Sequence, residues 1–348
     1  MTADLVDIPS VSHQEKAITD YLERMLRSVP WLETTRVGDN LVARTRLGRS
    51  RRLLLAGHTD TVPPNGNEGA RVVGDTLWGI GACDMKGGVA VLAELARTVA
   101  NPSVDVTYVF YECEEIAAKY NGVERLFRET PDLLRTDAAL LAEPTGARIE
   151  AGCQGTMRVE ATFTGTRAHS ARPWLGRNAI HRMAPALEAL AAYQGREVTL
   201  DGCQFREALS AVGIEGGVAG NVVPDRAVLT VNHRFAPDRS LAQAEAHVRD
   251  VLARADAVEV VDAAPAAAPA LDHPLLRALL AATGEPPMAK LGWTDVSRFA
   301  ARGIPATNFG PGDPNLAHHA EERVSRRDLE TCYSVLKNLL EHADANED

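Results

Sequence analysis

The stretch VDVTYVFYECEEI, residues 104–116, joins an apolar run to a cluster of acids. Val104 to Tyr111 predicts a buried strand, because a short continuous apolar run is typical of one. Glu112, Glu114 and Glu115 follow with only a cysteine between them. Neighbouring carboxylates repel, and each raises the pKa of the other unless a positive charge lies close by. The stretch therefore predicts either a solvated loop or a site where acids meet cations.

Helix and strand patterns alternate on both sides of this stretch. RRLLLAGHTD and TDAALLAE are typical of strands, whereas MKGGVAVLAELARTVA and NGVERLFRE are typical of helices. This alternation predicts an α/β fold with a mostly parallel sheet flanked by helices. Such sheets bind ligands at the carboxyl ends of their strands. Three predicted strands end there in GHTD, YECEE and LLAEP, so we expect the site at that edge.

After Gly155 the pattern changes to the order βαββαβ, beginning with TMRVEATFTG and ending with VEVVDAA. That order is typical of a ferredoxin-like unit. We therefore expect an inserted lid or dimerisation domain over residues 156–264. The catalytic domain would comprise residues 1–155 and 265–348. The Ala- and Pro-rich stretch 263–272 is typical of a linker by composition.

The bulk composition restricts the class of protein. A chain of 348 residues is long enough for two domains, and 45% hydrophobic with 24% charged residues is ordinary for a globular enzyme. The net charge of −10 argues against nucleic acid or an anionic membrane as the partner. The five cysteines match neither a zinc finger nor a disulfide framework, and neither a signal peptide nor a membrane-spanning run is evident. We expect a reduced, cytoplasmic protein.

Polar residues at the predicted strand ends are candidates for a metal site. His58 and Asp60 can face the same side of their strand end, where Asp60 would accept the second ring N–H of a metal-bound histidine. Taken alone, the pair is more typical of a surface histidine beside a solvated acid. Asp84, in GIGACDMKGG, precedes a predicted helix and is also compatible with a simple N-cap. The glycines around it lack the spacing of a nucleotide-binding loop.

Two further fragments complete the pattern. LLAEPTG places Glu143 after an apolar strand, and LAHHAEERV places His318 and His319 after a glycine- and proline-rich loop. Either fragment would be unremarkable by itself. Together with the other acids they match the imidazole and carboxylate ligands that two divalent ions need when one acid is shared. The cations that YECEEI requires would then be metal ions.

GHTDTVP, GIGACDMKGG, ECEE, LLAEPTG and AHHAEE, in this order and spacing, resemble the co-catalytic zinc aminoacylase and carboxypeptidase family of metallohydrolases. The resemblance covers nearly the whole chain. It implies that Asp84 bridges two ions, and the remaining ligands it implies are His58 and Glu143 at one ion and Glu115 and His318 at the other. It also implies Glu114 as the general base, a cis peptide after Asp84 and no ligand role for His319.

The resemblance implies a reaction as well. A water between the two ions would lose a proton to Glu114 and attack the carbonyl of a linear amide. Asp60 would support that catalysis by orienting His58. The expected cofactors are two divalent ions, zinc first, with cobalt and manganese compatible with the same ligands.

Within the family, GCQGTMRV and RAHSARPWLGRNAIH most resemble the actinobacterial desuccinylases that act on N-succinyl-LL-2,6-diaminopimelate in diaminopimelate and lysine biosynthesis. Such a small anionic substrate needs arginines for bidentate recognition. The substrate contacts that this resemblance implies are Arg234, Asn221, Thr294 and Asp295, with Arg172 as a further cation. His169 would reach across a homodimer, formed through the inserted domain, to stabilise the oxyanion.

Other functions stay open at this point. Cys83, before Asp84, resembles the acetylornithine deacetylase branch of the family. Cys83 and Cys113 are not assigned as ligands, since free cysteine more often behaves as a small buried hydrophobe. A dipeptidase or carboxypeptidase of the same family is a second alternative. A non-catalytic metal-binding protein of this fold is a third, and an acid without a ligand role, Glu114, argues against it.

Overall fold

The computed structural model describes residues 1–343 of the chain, and it divides into two compact units. The first unit comprises Met1–Gly152, Pro269–Met288 and the described residues from Arg298 onward. The second comprises Cys153–Ala268 and Ala289–Ser297. Within the described residues, no helix combines the length and the apolar character needed to cross a bilayer.

The helices and strands of residues 1–343 are numbered separately, each in chain order. The α-helices are α1 (Thr2–Val6), α2 (Lys16–Arg27), α3 (Lys86–Thr98), α4 (Gly122–Glu129), α5 (Ala179–Ala191), α6 (Leu241–Val251), α7 (Pro274–Thr283), α8 (Val296–Ala300) and α9 (Arg326–His342). The strands are β1 (Glu33–Val37), β2 (Asn40–Arg44), β3 (Arg52–His58), β4 (Arg71–Val73), β5 (Thr76–Trp78), β6 (Asp105–Tyr111), β7 (Ala138–Leu141), β8 (Glu150–Ala151), β9 (Gly155–Thr164), β10 (Glu197–Leu200), β11 (Cys203–Arg206), β12 (Ala208–Gly216), β13 (Arg226–Phe235), β14 (Ala257–Ala264), β15 (Met288–Ala289), β16 (Ala306–Asn308) and β17 (Arg323–Ser325).

A mixed sheet forms the centre of the first unit, with the strand order β1-β2-β6-β3-β7-β16-β8-β15. Its four central strands, β6, β3, β7 and β16, are parallel, whereas β2 and β8 run antiparallel to their central neighbours. Every residue of β6 is buried, as the apolar run predicts. The structure confirms a mostly parallel sheet flanked by helices, and the carboxyl ends of β6, β3 and β7 lie side by side.

Helix α3 packs closely on this sheet. All of its residues from Lys86 to Ala93 are buried, so the helix begins inside the unit. A Cβ placed on Gly88 would lie 2.2 Å from the carbonyl oxygen of Ala142, just beyond the end of β7. Only glycine allows this approach, which brings the start of α3 and the preceding Asp84 to the edge where the strands end.

The second unit is built on a four-stranded antiparallel sheet with the order β12-β13-β9-β14, accompanied by α5 and α6. The order of its elements along the chain and the order of its strands in the sheet are those of a ferredoxin-like βαββαβ unit. The structure thus confirms that prediction. The hairpin of β10 and β11, between α5 and β12, was not predicted from the sequence. Its two-residue turn, Asp201–Gly202, has positive φ at both positions, and Asp-Gly is a recognised signal for such a turn.

The units differ from the predicted domains at both ends of the inserted domain and at residues 289–297. Cys153 and Ala267 exchange backbone hydrogen bonds of 2.9 and 3.0 Å, so part of the stretch predicted as a linker is ordered in the second unit. Residues 289–297, expected in the catalytic domain, also group with the second unit. Trp293 Nε1 and Ser297 Oγ both donate to the Pro265 carbonyl, at 3.2 and 2.7 Å, which holds that segment there.

Candidate active site

Acids and a histidine lie at the carboxyl ends of three adjacent parallel strands of the first unit, β6, β3 and β7. His58 is the last residue of β3 and lies opposite Tyr111, the last residue of β6. Glu114 and Glu115 follow β6 by a few residues. Glu143 follows β7, the neighbour of β3 on its other side. These residues meet at the carboxyl edge of the sheet, as the sequence predicts.

Asp84 and His318 come from loops on the same unit. The peptide between Asp84 and Met85 is cis, as the family resemblance implies. The Asp84 N–H donates to Glu322 Oε1 at 3.1 Å, and the Cys83 N–H donates to the same oxygen at 3.1 Å. His318 has a left-handed backbone, with φ of 65°, and follows a short 3₁₀ turn at Pro314–Leu316.

The ligand-type atoms of these residues form overlapping clusters. The atoms within each cluster lie no more than 4.8 Å apart, and the clusters are His58, Asp84 and Glu143; Asp84, Glu115 and His318; and His58, Glu114 and Glu115. Asp84 is common to the first two. His58 Nε2 lies 3.1 Å from Asp84 Oδ1, and His318 Nε2 lies 2.9 Å from Glu115 Oε1. Within residues 1–343, no such cluster includes His319, Cys83 or Cys113.

Asp60 is fully buried behind this cluster and contacts three parts of it. Its carboxylate accepts hydrogen bonds from the N–H groups of Glu114 and Glu115, at 3.0 and 3.1 Å, and from Ser12 Oγ at 2.7 Å. His58 Nδ1 lies 3.4 Å from Asp60 Oδ1 and 3.0 Å from the Asp60 carbonyl. Nδ1 is thereby engaged, and Nε2 faces Asp84.

The electrostatics of the cluster indicate a deficit of positive charge. Burial alone would lower the pKa of His58, but the carboxylates of Asp60 and Asp84 raise that pKa well above its ordinary value. Burial raises the pKa of Glu115, with repulsion from Asp84 in the same direction. The Glu115 carboxylate raises the pKa of His318 to about 9. Neighbouring carboxylates thus raise the pKa of both histidines, and this donor set of imidazoles and carboxylates fits a pair of divalent metal ions.

Two residues beside the cluster were not predicted as functional groups. Ser12 binds Asp60 from the N-terminal segment, and no local pattern indicates such a contact. Glu322 is the last glutamate of the AHHAEE motif, four residues after His318. It is buried and binds the backbone on both sides of the Cys83–Asp84 peptide. Burial raises the pKa of Glu322 to about 7.

The second unit contains the remaining predicted site residues. Three lie on loops, two lie in the segment 289–297, and one lies on β13. His169, Arg172 and Asn221 are exposed on neighbouring loops, where the Arg172 N–H donates to the His169 carbonyl at 2.8 Å and the Ser170 N–H donates to the Asn221 carbonyl at 2.9 Å. Thr294 and Asp295 are buried together in the segment 289–297.

Arg234 lies on β13 and is half-buried. Its Nε donates to Asn232 Oδ1 at 3.2 Å, and burial lowers its pKa. The roles of Arg234 and of the loop residues in substrate binding stay predictions.

Residues 54–342 match the family model of Peptidase family M20/M25/M40. The chain belongs to this family. The match spans most of the first unit and the whole of the second, and it confirms the resemblance to metallohydrolases that the short motifs indicate.

Curated M20 relatives cover the chain almost from end to end. The putative succinyl-diaminopimelate desuccinylase DapE of Mycobacterium tuberculosis is 54% identical over 342 residues, which are 98% of this chain and 97% of that protein. The succinyl-diaminopimelate desuccinylase of Corynebacterium glutamicum is 46% identical over 350 residues, covering 98% of this chain and 95% of that protein.

Solved structures share the fold at low sequence identity. Aminopeptidase PepT of Bacillus cereus superimposes with a TM-score of 0.80 at 19% identity, covering 98% of this chain and 96% of that one. The YXEP protein of Bacillus subtilis, described as a dinuclear metal-binding peptidase, gives a TM-score of 0.69 at 18% identity, covering 98% and 95%. These likenesses confirm the predicted architecture.

Proposed function

We propose that this M20 protein is a metal-dependent amidohydrolase that cleaves N-succinyl-LL-2,6-diaminopimelate into succinate and LL-2,6-diaminopimelate. The observation that carries the chemistry is the pair of clusters that share Asp84. The choice of substrate rests on the two desuccinylases that are 54% and 46% identical over nearly the whole chain.

The ligand set supports two divalent ions with Asp84 between them. His58 and Glu143 would complete one site, and Glu115 and His318 the other, because each pair lies within 4.8 Å of an Asp84 oxygen. Nitrogen and oxygen ligands of this kind suit zinc, and they also suit cobalt and manganese. When bound, the ions would acidify a water and polarise the amide carbonyl.

Glu114 is the residue that would move protons. Its carboxylate lies in the cluster with His58 and Glu115, and its N–H is held by Asp60. It would take a proton from the attacking water as the oxygen bonds to the amide carbon. It would then deliver that proton to the nitrogen as the C–N bond breaks, so that succinate and the free amine leave.

The second unit would bind the substrate and join two copies of the chain. Arg234 and Arg172 would each offer a guanidinium, and Asn221 an amide, to the carboxylates of the substrate, and Thr294 and Asp295 would line its pocket. His169 would stabilise the oxyanion from the partner subunit.

Strand β12, at the edge of its sheet, supports a homodimer through this unit. Val212 and Ile214 on β12 are 59% and 55% exposed, and Ile180 on α5, which lies beside Gly216 of β12, is exposed as well. An apolar edge strand favours pairing with another chain. All five cysteines are buried and none forms a disulfide, which supports a reducing compartment such as the cytoplasm.

A substrate comparison tests the proposed function. The metal-stripped protein is assayed with and without added zinc on N-succinyl-LL-2,6-diaminopimelate, N-acetylornithine and a dipeptide. We expect activity only with metal and the highest kcat/KM for the succinylated substrate. A higher kcat/KM for N-acetylornithine or for the dipeptide would overturn the proposed substrate and assign the protein a deacetylase or dipeptidase activity. Full turnover without metal would overturn the mechanism.

A further inference from the structure

The segment SVSHQE, residues 10–15, lies along the end of β3 in the first unit. Val11 forms a parallel bridge with Thr61, the Thr61 N–H donates to the Ser10 carbonyl at 2.9 Å, and the Ser12 N–H donates to the Thr61 carbonyl at 3.3 Å. Ser10 Oγ also donates to the Thr59 carbonyl at 2.7 Å. The segment is therefore fixed against the strand end that carries His58 and Asp60.

Glu15 ends this segment and precedes α2. It is 1% exposed, and its carbonyl accepts the Thr19 N–H at 3.0 Å, so the helix holds its backbone. Its Oε1 accepts the Cys113 N–H at 3.0 Å and lies 3.3 Å from Cys113 Sγ. Within residues 1–343, Oε2 is buried and has no hydrogen-bond partner. This buried acid thus accepts a hydrogen bond from the backbone of the residue before Glu114.

Cys113 is the point at which the chain turns after β6. Its φ of 58° lies in the left-handed region, which residues other than glycine adopt at a cost. The N–H groups of residues 113, 114 and 115 are each bound by a carboxylate, the first by Glu15 and the next two by Asp60. Two buried acids from separate parts of the chain therefore fix three successive peptides.

We propose that Glu15 is a positioning residue whose hydrogen bond to the Cys113 N–H fixes the turn, so that the carboxylates of Glu114 and Glu115 face the cluster. Without that acceptor, the turn at Cys113 would relax and Glu114 would move away from the attacking water. An oxygen acceptor is what the role requires, and glutamine supplies one at the same place. The activity part of the inference rests on the proposed function.

The test compares Glu15→Ala and Glu15→Gln with the matched control Asp105→Ala. Asp105 is a buried acid at the opposite end of β6, where its carboxylate accepts the N–H groups of Leu47 and Gly48 at 2.9 and 3.1 Å. The Arg49 N–H also donates to this carboxylate, at 3.1 Å, so Asp105→Ala removes more backbone hydrogen bonds than the one between Glu15 and the Cys113 N–H, and it does so far along the strand from that turn. Each variant is loaded with zinc, its folded fraction is measured by circular dichroism, and kcat and KM are determined per folded molecule.

We expect Glu15→Ala to lower kcat roughly 10- to 100-fold, the order of loss that a displaced catalytic group causes, with KM nearly unchanged. Glu15→Gln retains most of the wild-type kcat. Asp105→Ala lowers the melting temperature but keeps kcat per folded molecule. Wild-type kcat in Glu15→Ala, an equal loss in Asp105→Ala, or a loss in Glu15→Gln as large as in Glu15→Ala would each overturn the inference.

A second readout separates this inference from the proposed substrate. If the wild-type protein does not cleave N-succinyl-LL-2,6-diaminopimelate, the proposed function fails, and the visible absorption of the cobalt-substituted proteins decides the role of Glu15. We then expect an altered spectrum in Glu15→Ala alone, because Glu115 is displaced with the loop. Spectra of Glu15→Ala and the wild type that superimpose would refute the positioning role.

Discussion

At the scale of single residues, the acids of the site differ in their contacts and therefore in their proposed roles. Asp60 holds the N–H groups of Glu114 and Glu115 and engages Nδ1 of His58. Glu115 Oε1 lies 2.9 Å from His318 Nε2, and Glu114 is the acid that we propose for proton transfer. In the proposed mechanism, a metal ion would offset the charge of Glu115, and Glu114 would carry protons, which would relieve the repulsion within YECEEI.

Glu114→Gln tests that division directly. The amide keeps the size of the side chain but cannot accept a proton from water, so we expect kcat to fall roughly 100- to 10,000-fold. Bound metal, measured by elemental analysis, should stay at the wild-type level because the proposed ligands are intact. Wild-type turnover at normal metal content would remove Glu114 from this role.

The residues found from the sequence share one property, which is a chemically distinctive side chain at a predicted strand end or loop. His58, Asp84, Glu143 and His318 satisfy it. Ser12, Glu15 and Glu322 do not, because each acts through a hydrogen bond to a residue far away in the chain. Local pattern carries no signal for such contacts.

At the scale of elements, regular periodicity predicted the long strands and helices, whereas long-range pairing was not predictable. In the sheet β17-β5-β4, Arg323 pairs with Trp78, which is far from it in sequence. Each strand of this sheet is three residues long. Strands this short show no alternation, and their partners are too distant in sequence for a turn signal. The hairpin β10–β11 is different, since its Asp-Gly turn is a readable signal.

Gly88→Ala tests the packing of α3 against the strand end. The added Cβ would meet the Ala142 carbonyl at 2.2 Å, and overpacking of this kind costs about 1–3 kcal/mol of the free energy of unfolding. Thermal unfolding should show a lower melting temperature. Gly220→Ala is the matched control, because a Cβ there meets nothing within 4 Å, and it should melt like the wild type. Equal melting temperatures for both variants would show that α3 does not need this close approach.

His233 on β13 predicts acid sensitivity of the second unit. It is 1% exposed, and neither ring nitrogen has a hydrogen-bond partner within residues 1–343. Burial lowers its pKa to about 4, and Arg196, Arg239 and His247 oppose protonation further, whereas Glu207 favours it. Because the folded pKa lies below that of the unfolded chain, near 6.5, the unfolded chain takes up the proton first. The stability that depends on neutral His233 is therefore fully present above a pH of about 6.5, and it is lost as the pH drops towards 4.

We expect His233→Leu to lessen this loss, because leucine does not titrate and an apolar group suits a site without hydrogen-bond partners. The loss would not vanish, since burial lowers the pKa of His247 as well. Melting temperatures of both proteins between pH 7 and 4 provide the measurement. Curves that run parallel across that range would show that His233 is not the titrating group.

At the scale of the whole molecule, activity is proposed to require two chains, since His169 would act in the partner's site. Ile214→Glu places a charge on the exposed edge β12, and we expect a monomer by light scattering with greatly reduced turnover. Val72→Glu is the matched control, because Val72 is 66% exposed on β4 of the first unit and should leave the dimer intact. A fully active monomer would refute action in trans.

Anomalous diffraction from zinc-loaded crystals shows most directly whether Asp84 lies between two metal ions. We expect two zinc peaks, each about 2 Å from an Asp84 oxygen, one also bound by His58 and Glu143 and the other by Glu115 and His318. A single peak, or two peaks that do not share Asp84, would contradict the proposed metal centre.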